Sequence, residues 1–244
     1  MKKPLIFAHR GGMGNCIENT IPCFKNAVKI GVSIETDLQL TKDNKLICYH
    51  DHHIKIDSEL YDIKKLTSVE LKKIKFKDNR EIPTTIEVFN ALENYANNLR
   101  YSCDIRDVTT GLKLIDIATE FDILDKIEIT ERNHNTLLKL REYNKKIKLV
   151  HTLPESITII NDNVVDVELL KDLKIEAINI KSWRANIKNL KQIYDFGFKC
   201  YVWGVNSKSR MKKVLNLNYN GEVVSAIYTD YPDILVKLRK EISQ

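Results

Sequence analysis

Short runs rich in Ile, Val and Leu recur along this chain, and most are separated by stretches whose apolar residues fall at helical spacing. The runs are 4–9 (PLIFAH), 33–38 (SIETDL), 46–50 (LICYH), 100–105 (RYSCDI), 126–130 (KIEIT), 147–151 (IKLVH), 175–180 (IEAINI), 199–203 (KCYVW) and 225–229 (SAIYT). The helical stretches are 20–30, 85–98, 109–121, 134–144, 186–196, 207–217 and 231–242. Thr84 followed by Glu87 has the form of a capping box at the start of the second, and Asp233 lies where the first turn of the last favours a negative charge. A strand that passes through a helix before the next strand returns parallel to it. Repeated over 244 residues, this alternation specifies an α/β fold, a (β/α)8 barrel of the TIM type. A doubly wound open sheet is the competing arrangement, but the glycine patterns of its nucleotide-binding versions, GxGxxG and GxxxxGK[ST], are absent. No Pro/Gly/Ser-rich linker divides residues 1–244, so one domain is expected.

Nine strand candidates are one too many for eight positions, and the stretch 35–50 accounts for the surplus. The few residues around Lys42-Asp43-Asn44-Lys45 are far too short for a helical crossover but ample for a hairpin, here between strands 2 and 3. With the turn centred on Lys42-Asp43, Glu35 would pair with His50 and Asp37 with Cys48, placing all four on one face. A short insertion is expected near 52–80.

Three segments carry ionisable residues on or just after strands: His9-Arg10-Gly11-Gly12, Glu35-Thr36-Asp37 and His50-Asp51. Charge within an apolar strand is costly unless paired or metal-bound. Glu35 and Asp37, two residues apart on one face, repel each other, and a divalent cation relieves the repulsion; oxygen donors suit Mg²⁺ or Ca²⁺ rather than zinc. The alternative for the pair is a solvated edge strand. The net charge of +6 suits an anionic substrate, although a Lys-rich solvated surface explains it equally well. No basic run interleaved with aromatics points to nucleic acid. The cysteines Cys16, Cys23, Cys48, Cys103 and Cys200 are odd in number and irregular in spacing, which fits reduced thiols in a cytosol. Only a few apolar residues follow Met1-Lys2-Lys3-Pro4 before His9, and no long apolar run follows, so a cytoplasmic protein without a stable membrane anchor is expected. Oligomeric state is not legible.

In order and spacing, these segments resemble the glycerophosphodiester phosphodiesterase family. The resemblance runs through His9-Arg10-Gly11-Gly12, Glu18-Asn19-Thr20, Phe24, Ala27, Gly31, Glu35-Thr36-Asp37, Thr41-Lys42-Asp43 and His50-Asp51. It resumes at Ile82-Pro83-Thr84, Trp203-Gly204-Val205-Asn206 and Thr229-Asp230-Tyr231-Pro232. The resemblance implies a phosphoric diester hydrolase that releases glycerol phosphate and an alcohol from a small glycerophosphodiester. It implies one divalent cation, Mg²⁺ or Ca²⁺, on Glu35, Asp37 and a third carboxylate. The family's usual E-x-K reads Asp104-Ile105-Arg106 here, and the related sphingomyelinase D enzymes also place Asp at the first of these positions. It further implies His9 and His50 as general acid and base, in an order the sequence leaves open, and Arg10, Arg106 and Trp203 on the phosphate and substrate side. The nucleophile is either water or a neighbouring hydroxyl of the substrate, the latter giving a cyclic phosphodiester first.

Several positions depart from the family pattern. Ile17 replaces a proline, the usual Arg-Thr pair after H-D is replaced by His52-His53-Ile54-Lys55-Ile56-Asp57, a Ser-Phe pattern by Ile129-Thr130-Glu131-Arg132, and W-T-V-N by W-G-V-N. All fall on the substrate side. They point to an uncommon alcohol. The absence of an amphipathic anchor or a long apolar insertion favours a soluble substrate over a phospholipase D-like reaction on lysophospholipid, and the intact His9/His50 pair argues against a catalytically impaired binding protein. Of the remaining residues, His52, His53 and His134 read as surface decoration, His151 as surface or barrel mouth, and Cys16 as a loop residue without a nucleophilic role.

Overall fold

The structure, a computed structural model, describes residues 3–242 and, within them, all side chains except those of 96–98. In chain order the strands are β1 (Leu5–Ala8), β2 (Ser33–Leu40), β3 (Leu46–Cys48), β4 (His53–Ile56), β5 (Glu59–Asp62), β6 (Tyr101–Ile105), β7 (Ile127–Glu131), β8 (Lys148–Thr152), β9 (Ala177–Lys181), β10 (Lys199–Trp203), β11 (Asn218–Tyr219), β12 (Glu222–Val223) and β13 (Ala226–Thr229). The helices are α1 (Ile21–Lys29), α2 (Ser68–Lys73), α3 (Thr85–Leu92), α4 (Val108–Glu120), α5 (His134–Tyr143), α6 (Val167–Asp172), α7 (Ile187–Asp195), α8 (Lys208–Leu215) and α9 (Pro232–Ile242). Strands β1, β2, β6, β7, β8, β9, β10 and β13 pair in parallel, and β1 closes the ring by pairing with both β2 and β13. This is the expected (β/α)8 barrel.

Alternation along each strand sorts the residues. In β7, Ile127 and Ile129 join the cluster between strands and helices, while Glu128 and Thr130 take the opposite face, toward the barrel axis. Each buried aliphatic side chain contributes about 1.5–3 kcal/mol, and this sleeve between sheet and helices holds most of the core. The axis is filled separately by Phe7, Val150, Ala177, Tyr201, Ala226 and Tyr228. Phe7 stacks on Tyr228 with ring centroids 4.8 Å apart, and the Tyr228 hydroxyl lies 3.0 Å from Ser102 Oγ. These rings form a floor one layer beneath the C-terminal ends of the strands, where barrel enzymes carry their active sites.

The surplus strand candidate is β3, antiparallel to β2 and outside the ring. Its register differs from expectation by one residue: Leu38 pairs with Cys48, and the turn is a five-residue loop, 41–45, with Asn44 in the left-handed region at φ 56°. A one-residue slip exchanges the faces. Cys48 therefore lies with Leu38 in the outer core, not beside Asp37. Residues 52–80 hold the β4–β5 hairpin and α2, packed on Ile47, Ile54, Ile63, Leu71 and Ile82. Helix α2 begins with a capping box, Thr67 with Glu70, as α3 does with Thr84 and Glu87. The expectation of reduced thiols throughout is also corrected. Cys16 and Cys23 form a disulfide with Cα atoms 5.5 Å apart, because the loop after His9-Arg10-Gly11-Gly12 folds back over the start of α1. Cys48, Cys103 and Cys200 are free and buried.

Candidate active site

His9 leaves the end of β1 in a tight turn, His9–Gly11, with Arg10 in the left-handed region at φ 50°. Gly11 and Gly12 follow at φ 85° and 99°. A Cβ on Gly11 would sit 2.9 Å from Cys23 Sγ, and one on Gly12 would sit 3.0 Å from Pro232, so the turn needs both glycines. The turn aims the Arg10 backbone N–H at Glu35 Oε2, 2.7 Å away. It also puts the His9 ring between two carboxylates, with Nδ1 2.7 Å from Asp230 Oδ1 and Nε2 3.9 Å from Glu35 Oε2. Burial alone would lower the pKa of His9, but Glu35 and the bond to Asp230 outweigh it and raise the value to about 9. Asp230 is held by Asn206, whose Nδ2 donates to Oδ2 at 2.5 Å and whose Oδ1 accepts from the Asp230 N–H at 2.9 Å.

Glu35 and Asp37 both face the axis from β2, and register sets Asp37 beside Asp104 of β6. The three carboxylates offer oxygen atoms all within 4.8 Å of one another. Glu35 and Asp37 are buried, whereas Asp104 opens to the mouth. Burial and then the neighbouring carboxylates Asp37 and Asp104 push Glu35 well above the carboxylate range, although His9 opposes the shift. Enclosure by the barrel mouth and then Asp37 push Asp104 up to about 7. Such a set is electrostatically incomplete without a cation, and its hard oxygen donors fit Mg²⁺ or Ca²⁺. Arg10 offsets only part of the charge. Its Nε lies 3.1 Å from Asp37 and its Nη1 2.9 Å from Glu18. Asn19, itself left-handed at φ 54°, donates to Asp37 Oδ2 at 3.2 Å and accepts from Thr36 Oγ1 at 2.8 Å. Thr130 Oγ1 donates to Asp104.

His50 lies just past β3, with Nδ1 2.7 Å from Asp51 Oδ1. Its segment is tied to β2 by buried Gln39, whose Nε2 donates to the Tyr49 and Asp51 carbonyls at 2.6 and 2.9 Å. Arg106 follows Asp104 by two residues on the bend after β6, half-buried, and Arg132 on the bend after β7 acts on the Asp104 carboxyl with its charge. Trp203 ends β10 with the inward parity of Tyr201, and the Lys181 ammonium sits 4.7 Å over its ring. Glu18, Asn19, Gln39, Asp230 and Asn206 had no assigned part in the sequence reading. Four of them stand inside the quoted motifs, which was the available signal; Gln39 had only its inward parity, two residues past Asp37.

His52 and His53 are exposed, His53 in the β4–β5 hairpin. His151 takes the parity opposite to Val150 and lies buried under α5, its Nε2 3.3 Å from that of His134. Burial and then His134 lower its pKa to about 4. An imidazole that resists protonation only when folded adds nothing above the unfolded value of about 6.5 and destabilises as pH falls from there to about 4. The expected loss through His151 is up to about 3 kcal/mol over that window. Denaturant midpoints measured across this range at saturating Mg²⁺ should slope less for His151→Gln than for wild type; parallel slopes would contradict the assignment.

A closed parallel barrel with a three-carboxylate cluster at its C-terminal mouth, and an imidazole, His9, set between Glu35 and Asp230, has the parts of a phosphoester hydrolase. The sequence pattern of the Glycerophosphoryl diester phosphodiesterase family matches residues 9–234, from the first histidine of the site to just past Asp230, and the chain belongs to that family. It is accordingly a phosphoric diester hydrolase. A glycerophosphodiester phosphodiesterase of Caldanaerobacter subterraneus is 29% identical over 97% of this chain and 98% of its own length. Among solved structures, a glycerophosphodiester phosphodiesterase from Parabacteroides distasonis superposes with a TM-score of 0.82 at 19% identity over all of both chains. An Oleispira antarctica phosphodiesterase in complex with the product sn-glycerol-3-phosphate superposes at 0.80 with 20% identity, over 99% of this chain and 98% of that one.

Proposed function

We propose that the whole chain acts as one barrel domain that hydrolyses a small, water-soluble glycerophosphodiester to glycerol phosphate and an alcohol, with one divalent cation. The convergence of Glu35, Asp37 and Asp104 within 4.8 Å at the barrel mouth carries this reading. These three would hold Mg²⁺ or Ca²⁺, which when bound polarises a non-bridging phosphate oxygen. His9 and His50 would move the protons on the two sides of phosphorus. Both have Nδ1 on a carboxylate, Asp230 and Asp51, which fixes the ring and leaves Nε2 as the nitrogen for transfer. Arg106 would take the free phosphate oxygens. Arg10, shared by Glu18 and Asp37, would act first as a brace for the carboxylates and second as a phosphate ligand. Trp203 would give a flat wall for the carbon part of the substrate.

A second reading draws on a cavity of about 630 Å³ between the start of α1 and the segment 74–83, lined by Ile17, Ile21, Ile74, Phe76 and Ile82. Its Arg80 lies 3.9 Å from Glu18, the partner of Arg10. Such a cavity would suit the acyl chain of a lysophospholipid, which the short insertion did not lead one to expect. Release of glycerol phosphate from glycerophosphocholine, glycerophosphoethanolamine and glycerophosphoglycerol, assayed beside head-group release from a lysophospholipid, tests both readings. The soluble diesters are expected to give the higher kcat/KM, and exhaustive chelation to stop turnover until Mg²⁺ or Ca²⁺ is restored. A higher kcat/KM for the lipid would select the second reading, and no turnover with any cation would leave a binding protein. Among the described residues no helix is long and apolar enough to cross a membrane. In a cytoplasmic setting the reducing pool would hold Cys16 and Cys23 mainly as thiols.

A further inference from the structure

We infer that Cys16 and Cys23 are a redox modification site whose state sets the cation affinity of the carboxylate cluster. The inference rests on the cation reading of that cluster. The disulfide closes a short loop, the cysteines being seven residues apart in sequence, and that loop contains Glu18, Asn19 and Thr20. Two of these side chains brace the site: Glu18 binds Arg10 at 2.9 Å, and Asn19 binds Asp37 at 3.2 Å. The backbone N–H of Asn19 also donates to the Arg10 carbonyl at 2.9 Å. Asn19 holds a left-handed conformation, at φ 54°, which asparagine tolerates better than most residues and which fixes the path of the loop here. The cross-link constrains that path from one side, anchoring the loop to Cys23 in the first turn of α1.

The second anchor point is the catalytic turn itself. Cys23 is buried directly against Gly11, so the sulfur packs beneath the His9–Gly11 turn as well as holding the loop. Both cysteines line the cavity described above, which gives a small thiol a route to the bond. Both redox states have somewhere to go. On reduction, the Cys16 thiol has the Gly12 carbonyl 3.3 Å away and the Cys23 thiol has the Arg10 carbonyl at 3.7 Å. The other three cysteines are buried, and burial pushes Cys48 and Cys200 up to about 12, so neither competes as an exchanging thiolate.

The exchange is a two-electron step. A thiolate of a small dithiol attacks one sulfur, the Cys16–Cys23 bond breaks, and the second thiol of the reagent displaces the protein from the mixed disulfide. Two protons and two electrons pass to the protein thiols, and the dithiol leaves as its cyclic disulfide. A small disulfide such as oxidised glutathione reverses the step. With the tether open, Glu18 and Asn19 no longer hold Arg10 and Asp37 in one geometry. Loss of such outer-shell support typically weakens a metal site about ten- to a hundredfold.

The full-length protein, equilibrated with oxidised or reduced dithiothreitol, should show three or five alkylatable thiols by intact mass after denaturation. Calorimetric titration with Mg²⁺ or Ca²⁺ alone should then give a dissociation constant about ten- to a hundredfold lower for the oxidised form. Cys16→Ser, placed on the partly exposed loop, should bind like the reduced wild type in both conditions, and so should Cys23→Ser if it folds. Equal affinity of the two wild-type forms, or five free thiols under both conditions, would overturn the inference. Loss of affinity in Cys16→Ser together with a redox-insensitive wild type would show that the cysteine matters only for packing, which also overturns it. A protein that binds no cation in either state would remove the cation reading, and this coupling with it, while the thiol count would still report the pair.

Discussion

Glu35→Gln is expected to abolish divalent-cation binding and to lower kcat/KM by about a thousandfold or more, the several kcal/mol that Lewis-acid stabilisation supplies. The same substitution should raise the thermal midpoint of the cation-free protein. Glutamine keeps the volume and the acceptor that receives the Arg10 N–H, but it removes one of three carboxylates crowded within 4.8 Å, two of them buried. A residue present to hold a cation costs stability when the cation is missing, and its neutral isostere relieves that cost. Calorimetric titration with Mg²⁺ and Ca²⁺, and melting curves in excess chelator, read the two effects separately. Unchanged cation affinity would refute the assignment of Glu35. Lost affinity with a lowered midpoint in chelator would mean that Glu35 serves the fold through its bond to Arg10 more than it strains it.

His9→Ala and His50→Ala should each lower kcat by at least about a hundredfold, as loss of a general acid or base does. Their structural consequences should differ. His9 stands between Asp230 and Glu35, and its removal takes a cationic neighbour from both carboxylates and leaves them only their neutral donors and Arg10. His50 sits at the rim with Asp51, which is exposed, so its removal uncovers nothing buried. Alanine at 9 is therefore expected to lower the thermal midpoint visibly, and alanine at 50 to leave it close to wild type. Near-normal turnover of either folded variant would take that residue out of the mechanism. Equal destabilisation by both would contradict the burial difference.

The strand–helix alternation was legible because each barrel strand carries its own Ile/Val/Leu signal. The i, i+2 spacing of Glu35 and Asp37 likewise carried over unchanged into a shared face. The hairpin register did not, since a turn one residue longer than assumed moves Cys48 away from Asp37, and nothing in Thr41-Lys42-Asp43-Asn44-Lys45 fixes the count beforehand. Helix α2 was missed although Thr67 and Glu70 have the spacing of Thr84 and Glu87; six residues were too few for an apolar period to show. The Cys16–Cys23 pair and the outward turn of His151 both depend on loop path and strand parity at an end, which composition does not encode. The braces Glu18, Asn19 and Asp230 were visible as motif letters, but their partners Arg10, Asp37 and His9 come from other segments, so their work appears only in the folded chain.

The contact between His9 and Asp230 spans 221 positions of sequence. The bond therefore forms only where the first barrel strand, β1, meets the last, β13. Glu35, Asp37 and Asp104, by contrast, come from the neighbouring strands β2 and β6, within the first half of the sequence. Damage at the seam where β1 meets β13 would thus misplace the His9 ring first, while the carboxylate cluster on β2 and β6 keeps its own strand pairing.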